Sequence, residues 1–329
     1  MTKFIGRRQS VGIGVETTRG VGVSPSYWLN VLSFSHADKV EKARTAGSLG
    51  GIWGGDQALV TLKRAEGDME VEMGSESFGA ILLAVLGNVS TSTDTPAAGL
   101  NTHTFTLQND NQHDSLSITT TDPIGDLIFE LAMIETLEIR VTPEDLVTLA
   151  ISFKSKSSQS SSATVSYSAE HKFLGRHLTF KVASDTSGLD AASKISLKSL
   201  TLTFNKNLEL DNVLGSVQPE DILNKNFQIT GELELNYEDR TWANYMLNGS
   251  YKAVRIELEN TDVTASPYSA SNHPKFVIDL SKVDFEAWEP SLSPDDIATQ
   301  TITFTALYDL GGNDNVINNC QLINEVTSY

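Results

Sequence analysis

Apolar and polar residues alternate with a period of two along much of the chain, the pattern of strands with one face in a core and the other in solvent. Leu137, Ile139 and Val141 oppose Glu138 and Arg140, and Leu149, Ile151 and Phe153 oppose Ala150, Ser152 and Lys154. Further along, Leu200, Leu202 and Phe204 are spaced by threonines, Val283, Phe285 and Ala287 oppose Asp284, Glu286 and Trp288, and Ile302, Phe304 and Ala306 oppose Thr301, Thr303 and Thr305. Two short stretches change to helical spacing. In "SESFGAILLAVLGN" Phe78, Ile81, Leu82 and Val85 share a face, Ser75 can cap the start and Gly87 can supply a left-handed stop. In "DRTWANYMLNG" the stripe is Trp242, Tyr245 and Met246, with Asp239 as cap and Gly249 as stop. The expected fold is mainly β, with one short α-helix in each half.

The chain also echoes itself. Adding 168 carries "VEKARTAGSL" (40–49) onto "LELDNVLGSV" (208–217), matching Glu41 to Glu209, Gly47 to Gly215 and Ser48 to Ser216, and the register extends upstream to about residue 8. "EGDMEVEM" (66–73) then meets "TGELELNY" (230–237) at a shift of 164, and "PEDLVTLAISF" (143–153) meets "PDDIATQTITF" (294–304) at 151. Two tandem modules of roughly 150 residues follow, each large enough for its own core. The expected boundaries are an N-terminal arm over 1–28 that starts module 1, module 1 over 29–156, a serine-rich linker or long exposed hairpin over 157–173, module 2 over 174–308, and an extension over 309–329 without a counterpart. The polar insertions "VSTSTDTPAAGLNTH" and "TDVTASPYSASNHP" are expected at the same place after each helix.

Composition narrows the class. With 40% hydrophobic and 20% charged residues in 329, the chain reads as an ordinary soluble globular protein. No apolar run approaches the roughly 20 residues that cross a bilayer, and the start lacks a signal-peptide core, so synthesis in a cytoplasm is expected. The single cysteine, Cys320, permits no intrachain disulfide. A net charge of −18 opposes tight binding to DNA or to an anionic membrane.

Catalytic signatures are missing where they are looked for. His36, His103, His113, His171, His177 and His273 form no HExxH pattern, and His103 with His113 lacks a third ligand at conventional spacing. "GIGVETTRG" matches neither a P-loop nor a dinucleotide fingerprint. "DLGGNDN" (309–315) has oxygen-rich spacing suited to calcium, but not the closing glutamate of an EF-hand, and reads as a turn. The carboxylates are instead periodic. Glu66, Asp68, Glu70 and Glu72 lie opposite Met69, Val71 and Met73, and Glu232, Glu234 and Glu238 lie opposite Leu233, Leu235 and Tyr237. Such a row of like charges describes a surface, not one acid and one base of separated pKa. Long segments at 39–62 and 207–226 carry apolar residues, Ile52, Trp53 and Ile222, expected to be exposed and to await a partner, the alternative being loops tucked into the core.

Taken together, "GRRQSVGIGVETTRGVGVSPSYW", "LGSVQPEDILNKNFQITGELEL", "YMLNGSYKAVRIELENTDVT" and "IATQTITFTALYDL" resemble the major tail tube proteins of long-tailed bacteriophages with non-contractile tails. The resemblance implies β-sandwich-like or barrel modules that join in rings, rings that stack into a hollow tube, and no catalytic residues, cofactor or metal. For a duplicated chain it implies three copies per pseudo-hexameric ring. It implies a virion protein assembled in the host bacterial cytoplasm, with itself, a tape measure protein, and tail terminator and tail tip proteins as partners. Double-stranded DNA would pass without tight binding, and no membrane is a partner.

On that resemblance Glu66, Asp68, Glu70, Glu72, Glu232, Glu234 and Glu238 are expected at the lumen, where like charge keeps DNA from sticking within a screening length of about 8 Å. The same face turned outward, or paired with Arg and Lys of a neighbouring chain, is the alternative. Gly47, Ser48, Leu49, Ile52, Trp53, Gly215, Ser216, Val217 and Ile222 are expected to stack one ring on the next. Two other functions stay open: a carbohydrate-binding or hydrolytic β-protein, and the inner tube of a contractile injection system.

Overall fold

The computed structural model describes residues 3–47, 49–93, 99–269, 272–311 and 315–329. Its first half holds β1 (Ser10–Val15), β2 (Tyr27–Leu29), β3 (Val31–Arg44), β4 (Ala58–Glu72), helix α1 (Ser77–Leu86), β5 (Gly87–Thr93), β6 (Asn101–Leu107), β7 (Leu116–Thr121), β8 (Asp126–Val141), β9 (Thr148–Ser155) and β10 (Gln159–Ser161). The second holds β11 (Leu178–Ala183), β12 (Lys194–Ile195), β13 (Ser199–Asn205), β14 (Glu209–Asp211), β15 (Asp221–Leu223), β16 (Gln228–Asn236), helix α2 (Thr241–Leu247), β17 (Lys252–Glu259), β18 (Lys275–Ser291), β19 (Thr299–Leu307) and β20 (Ile317–Asn324). The fold is mainly β, as the alternation implies.

Eight strands form one antiparallel sheet in the order β3-β4-β9-β8-β13-β16-β19-β18. Two smaller antiparallel sheets accompany it, β2-β1-β7-β8-β10 and β12-β11-β17-β18-β20-β6-β5. β8 and β18 belong to both kinds of sheet: the first part of each pairs in a smaller sheet and the last part in the large one, so a single bent strand makes each corner. One apolar cluster runs through both halves, and alternate residues such as Leu137, Leu149, Leu202 and Phe304 feed it from the large sheet.

One expected alternation is reversed. A β-bulge at Glu286 separates Phe285, paired with Phe304, from Ala287, paired with Thr303. Beyond it Trp288 turns inward, its ring 5.9 Å from that of Tyr237, and Ala287 joins the threonine row. An inserted residue shifts the side-chain parity, and a hydrophobic pattern does not mark where that happens.

Local geometry recurs between the halves. Gly67 lies opposite Phe153 and Gly231 opposite Phe304, and a Cβ on either glycine would run into the facing ring. The bulge at Glu286 in β18 is matched by one at Glu135 in β8, between Ile134 and Thr136. β10 occupies on β8 the place that β20 occupies on β18.

All ten residues of α1 are buried, so its terminal backbone groups must find partners within the protein. At the C-terminal end each does. Gly87, left-handed at φ 89°, turns its N–H to the Leu83 carbonyl. Lys206 Nζ donates to Ala84 O at 2.7 Å, His113 Nδ1 lies 3.0 Å from Val85 O, and Gln108 N donates to Leu86 O at 2.8 Å. At the other end Glu170 accepts from Ser77 N at 3.3 Å and Ser77 Oγ at 2.8 Å. Ser75, the expected cap, instead has a buried hydroxyl with no hydrogen-bond partner among the described residues. In α2 Arg240 holds the N-cap position, and Asp239, the expected cap, sits one residue earlier and accepts from Thr241 N at 2.8 Å; Trp242 is buried and Tyr245 and Met246 are half-buried.

Several expected boundaries are corrected. Residues 10–28 are not an arm: β1 pairs along its length with β7 and places Val11 and Ile13 in the core. The turn after it winds around Glu16, whose buried carboxylate accepts from Gly20 N, Ser115 Oγ, Ser117 Oγ and Leu131 N at 2.5–2.9 Å. The 157–173 stretch is anchored at both ends, because β10 pairs with β8, Glu170 caps α1 and Phe173 is buried. The stretch 309–329 contributes β20, held between β18 and β6, so it bridges the two halves. The polar insertions differ in place: the first is the β5–β6 hairpin beside α1, and the second joins β17 to β18.

Candidate functional site

The eight-stranded sheet turns one face to the core and leaves the other polar. Because successive residues of a strand point to opposite faces, Ala65, Gly67, Met69 and Val71 of β4 are buried while Glu66, Asp68, Glu70 and Glu72 stand on the polar face. Glu232 and Glu234 of β16 stand on that same face, opposite buried Leu233 and Leu235. One row across the sheet reads Glu72, Thr148, Arg140, Thr201, Glu232, Thr303 and Ala287. Glu238 is set apart from this row, because β16 ends at Asn236 and Glu238 lies in the turn into α2.

The two ends of the face differ in electrostatics. On the first half carboxylates meet cations: Arg64 reaches Glu66 at 3.0 Å and Glu41 at 2.5 Å, Arg140 reaches Glu138 at 2.5 Å and Glu70 at 3.5 Å, and Lys154 reaches Glu135 at 2.6 Å. The neighbouring carboxylates hold the Arg64 and Arg140 guanidinium groups above their ordinary pKa. On the second half hydroxyls take the place of cations: Glu232 lies between Thr201 and Thr303, and Glu234 between Ser199 and Thr301. The surface is acidic and hydroxyl-rich, suited to carrying water and repelling polyanions.

Beyond the sheet, β3 and β4 continue as a long hairpin whose tip spans residues 45–57. Thr45 Oγ1 donates to Asp56 Oδ1 at 2.9 Å across its base, and Gly50 at φ 98° makes the turn. The tip holds Leu49 and Ile52 almost wholly exposed and Trp53 at 78% exposure. A second loop, between β14 and β15, exposes Leu214 and Val217, with Gly215 at φ 91° and Ser216 Oγ donating to Gln218 O at 2.7 Å. Lys63 N donates to Val217 O at 2.6 Å, which brings the second loop alongside the first hairpin. Large apolar side chains are thus concentrated, exposed, on two adjacent loops.

Ile222, expected on that surface, is a correction. It is fully buried, packed with Leu131, Met133 and Leu208, because the short β14–β15 pair folds down onto the start of β8. Ser48 lies outside the described residues.

The titratable residues have identifiable structural partners. The described residues contain no group of three or more His, Cys, Asp or Glu placed to hold a metal ion. Residues 312–314 of the oxygen-rich 309–315 turn lie outside the described residues. His103 meets Thr91 Oγ1 at 2.8 Å and Asn324 Oδ1 at 3.0 Å, and burial lowers its pKa; His113 meets two backbone carbonyls, and burial and then Lys206 lower its pKa. Burial pushes up the carboxyls of Glu76 and Asp114, but one precedes α1 and the other follows His113 near the opposite end of that helix. No helix of the described residues is long and apolar enough to cross a membrane.

Sequence reasoning missed Glu16, Lys206 and Glu170, the charged residues that fasten the site's scaffold. Each acts on partners about 90 or more positions away, beyond the reach of any local pattern. A family model described as phage tail tube protein matches residues 6–306. No curated protein matches the chain.

Proposed function

The chain belongs to the phage tail tube protein family, and on that premise we propose that it is the repeating subunit of a hollow tail tube that conducts the genome of a phage with a long non-contractile tail. The observation that carries the reading is the eight-stranded sheet with two open edges, β3 at one end and β18 at the other. Three chains of eight strands make a barrel of roughly 24, wide enough to leave an aqueous channel and free of exposed edges.

The recurrence of Gly67 under Phe153 and Gly231 under Phe304, with bulges at Glu135 and Glu286, supports a tandem duplication. Each copy then supplies four strands of the wall, and three chains imitate a sixfold ring. The polar face of the sheet is the lumen, lined by Glu66, Asp68, Glu70, Glu72, Glu232 and Glu234. The loops bearing Leu49, Ile52, Trp53, Leu214 and Val217 join one ring to the next. A tape measure protein during assembly, and terminator and tip proteins at the tube ends, are the remaining partners; the tube is assembled in the bacterial cytoplasm and ends in the virion tail.

The carbohydrate-binding or hydrolytic alternative asks for convergent acidic and aromatic groups in a cleft. The acidic residues of this sheet face lie instead in spaced rows, among cations on the first half and hydroxyls on the second. Negative-stain electron microscopy of concentrated protein decides: hollow filaments with threefold or pseudo-sixfold rings support the tube, and a strictly monomeric protein that binds glycans rejects it.

A further inference from the structure

We propose that the ring closes through a specific seam, in which the free edge of β18 in one copy takes the free edge of β3 in the next, in the register that β8 and β13 already use within the chain. The proposal rests on the tube reading above and adds the residues that meet.

The internal junction is the template. β8 pairs with β13 so that Ile139 faces Leu202, Glu138 faces Thr203, Leu137 faces Phe204 and Thr136 faces Asn205. The matched bulges equate Glu135 with Glu286, and therefore Ile139 with Pro290 and Thr136 with Ala287. The matched glycines equate the strands beside them at a shift of 166, which corrects the 168 expected from the sequence echo: His36 faces Gly67 as Leu202 faces Gly231. Carried across, the template sets Pro290 against the next copy's His36, Glu289 against Ala37, Trp288 against Asp38 and Ala287 against Lys39.

Charge supports this register independently. At the internal junction the bulge residue Glu135 is held by Lys154 of the adjacent strand at 2.6 Å. At the equivalent place beside Glu286, the position of Lys154 is taken by Thr305, which carries no charge. Glu286 is exposed and lacks that cation. The seam supplies one from the other side, because Lys39, also exposed, stands where the internal junction has the neutral Asn205. The cation has moved from the same chain to the partner chain. Lys39 with Lys42 on the β3 edge also discourages pairing with an arbitrary strand. The contact is head-to-tail, the kind that generates rings.

The test is a cysteine pair, Ala37→Cys with Glu289→Cys, oxidised after assembly; native Cys320 is buried and does not compete. A denaturing gel should show covalent oligomers up to the trimer, while the slipped pair Ala37→Cys with Ser291→Cys should give little cross-linking. Lys39→Glu alone should raise the concentration needed for ring formation about tenfold through like-charge contact, and adding Glu286→Lys should restore it. Hollow tubes in which only the slipped pair cross-links, or in which Lys39→Glu assembles normally, overturn the seam and leave the tube reading intact. Unsubstituted protein that forms no ring at any concentration overturns the tube reading itself.

Discussion

Lys206 Nζ donates to the carbonyl oxygen of Ala84 at 2.7 Å, joining a strand of the second half to the helix of the first. Burial, and then Arg19 nearby, bring this amine from 10.5 down to about 7. Between those values the unfolded chain holds a proton that the folded chain does not, so stability should rise with pH from about 7 to about 10. Below pH 7 both states are protonated and the full cost of a buried cation is felt. Urea unfolding at pH 7.0 and 9.5 should show a gain of up to about 1.4 kcal/mol per pH unit that Lys206→Met lacks. Identical pH curves for the two proteins would remove the buried amine from the account.

The glycine and phenylalanine pairs make a matched prediction. Gly67→Ala and Gly231→Ala each push a methyl into a packed ring, which should cost about 1–3 kcal/mol. Combining Gly67→Ala with Phe153→Leu should cost less than the sum of the two single changes, since both act on one contact. Strict additivity in denaturant titrations would show that the ring does not set the limit.

Glu16 gathers four donors in a buried site, and one of them is the N–H of Leu131, held at φ 53° in the bend of β8. Glu16→Gln keeps the size but exchanges acceptors for donors, and should cost about 2–4 kcal/mol. Ser115→Ala should be milder, near 1 kcal/mol. A Glu16→Gln protein as stable as the parent in chemical denaturation contradicts this role.

Trp53→Ser combined with Leu49→Ser removes exposed apolar surface and no core contact, so fold stability should stay within about 0.5 kcal/mol. Filament growth should stop at single rings or short stacks, read by electron microscopy beside light scattering. Full-length filaments from this variant would transfer the stacking role elsewhere.

Glu70→Lys with Glu234→Lys inverts charge on both halves of the polar face. Assembled tubes of the variant should retain double-stranded DNA at low salt and release it as salt rises, the signature of phosphate contact; parent tubes should not retain it. A variant that ignores DNA would turn this face away from the lumen.

The strands were legible because one face of each is core: Leu137, Ile139 and Val141, or Leu200, Leu202 and Phe204, carry their burial in their spacing. The helices were legible for the same reason, down to Gly87 as the stop. The failures share a different cause. Trp288 and Ala287 were read on the wrong faces because the bulge at Glu286 leaves no mark in composition. Ile222 was read as exposed because it packs with Leu131 and Met133, about 90 residues earlier. The anchors of serine-rich 157–173, backbone pairing at β10 and the Glu170 carboxylate, are not legible because they do not depend on apolar content. Of the candidate site, the acidic row and the apolar tip were readable as surface, since periodic charge and clustered apolar residues are local signals. The edges that would join copies were not, because an edge is defined by which strand fails to arrive.

Tyr329 adds a constraint in time. Its hydroxyl donates to Glu76 O at 2.6 Å across 253 positions, its ring covers Gly79 of α1, and it lies tilted against Tyr27 and edge-on to His103. A ribosome therefore makes α1 about 250 residues ahead of the ring that covers it, and the helix keeps that face open while the second half is being translated. A polypeptide broken off between those two points carries an open first half, which distinguishes it from one in which the ring has arrived.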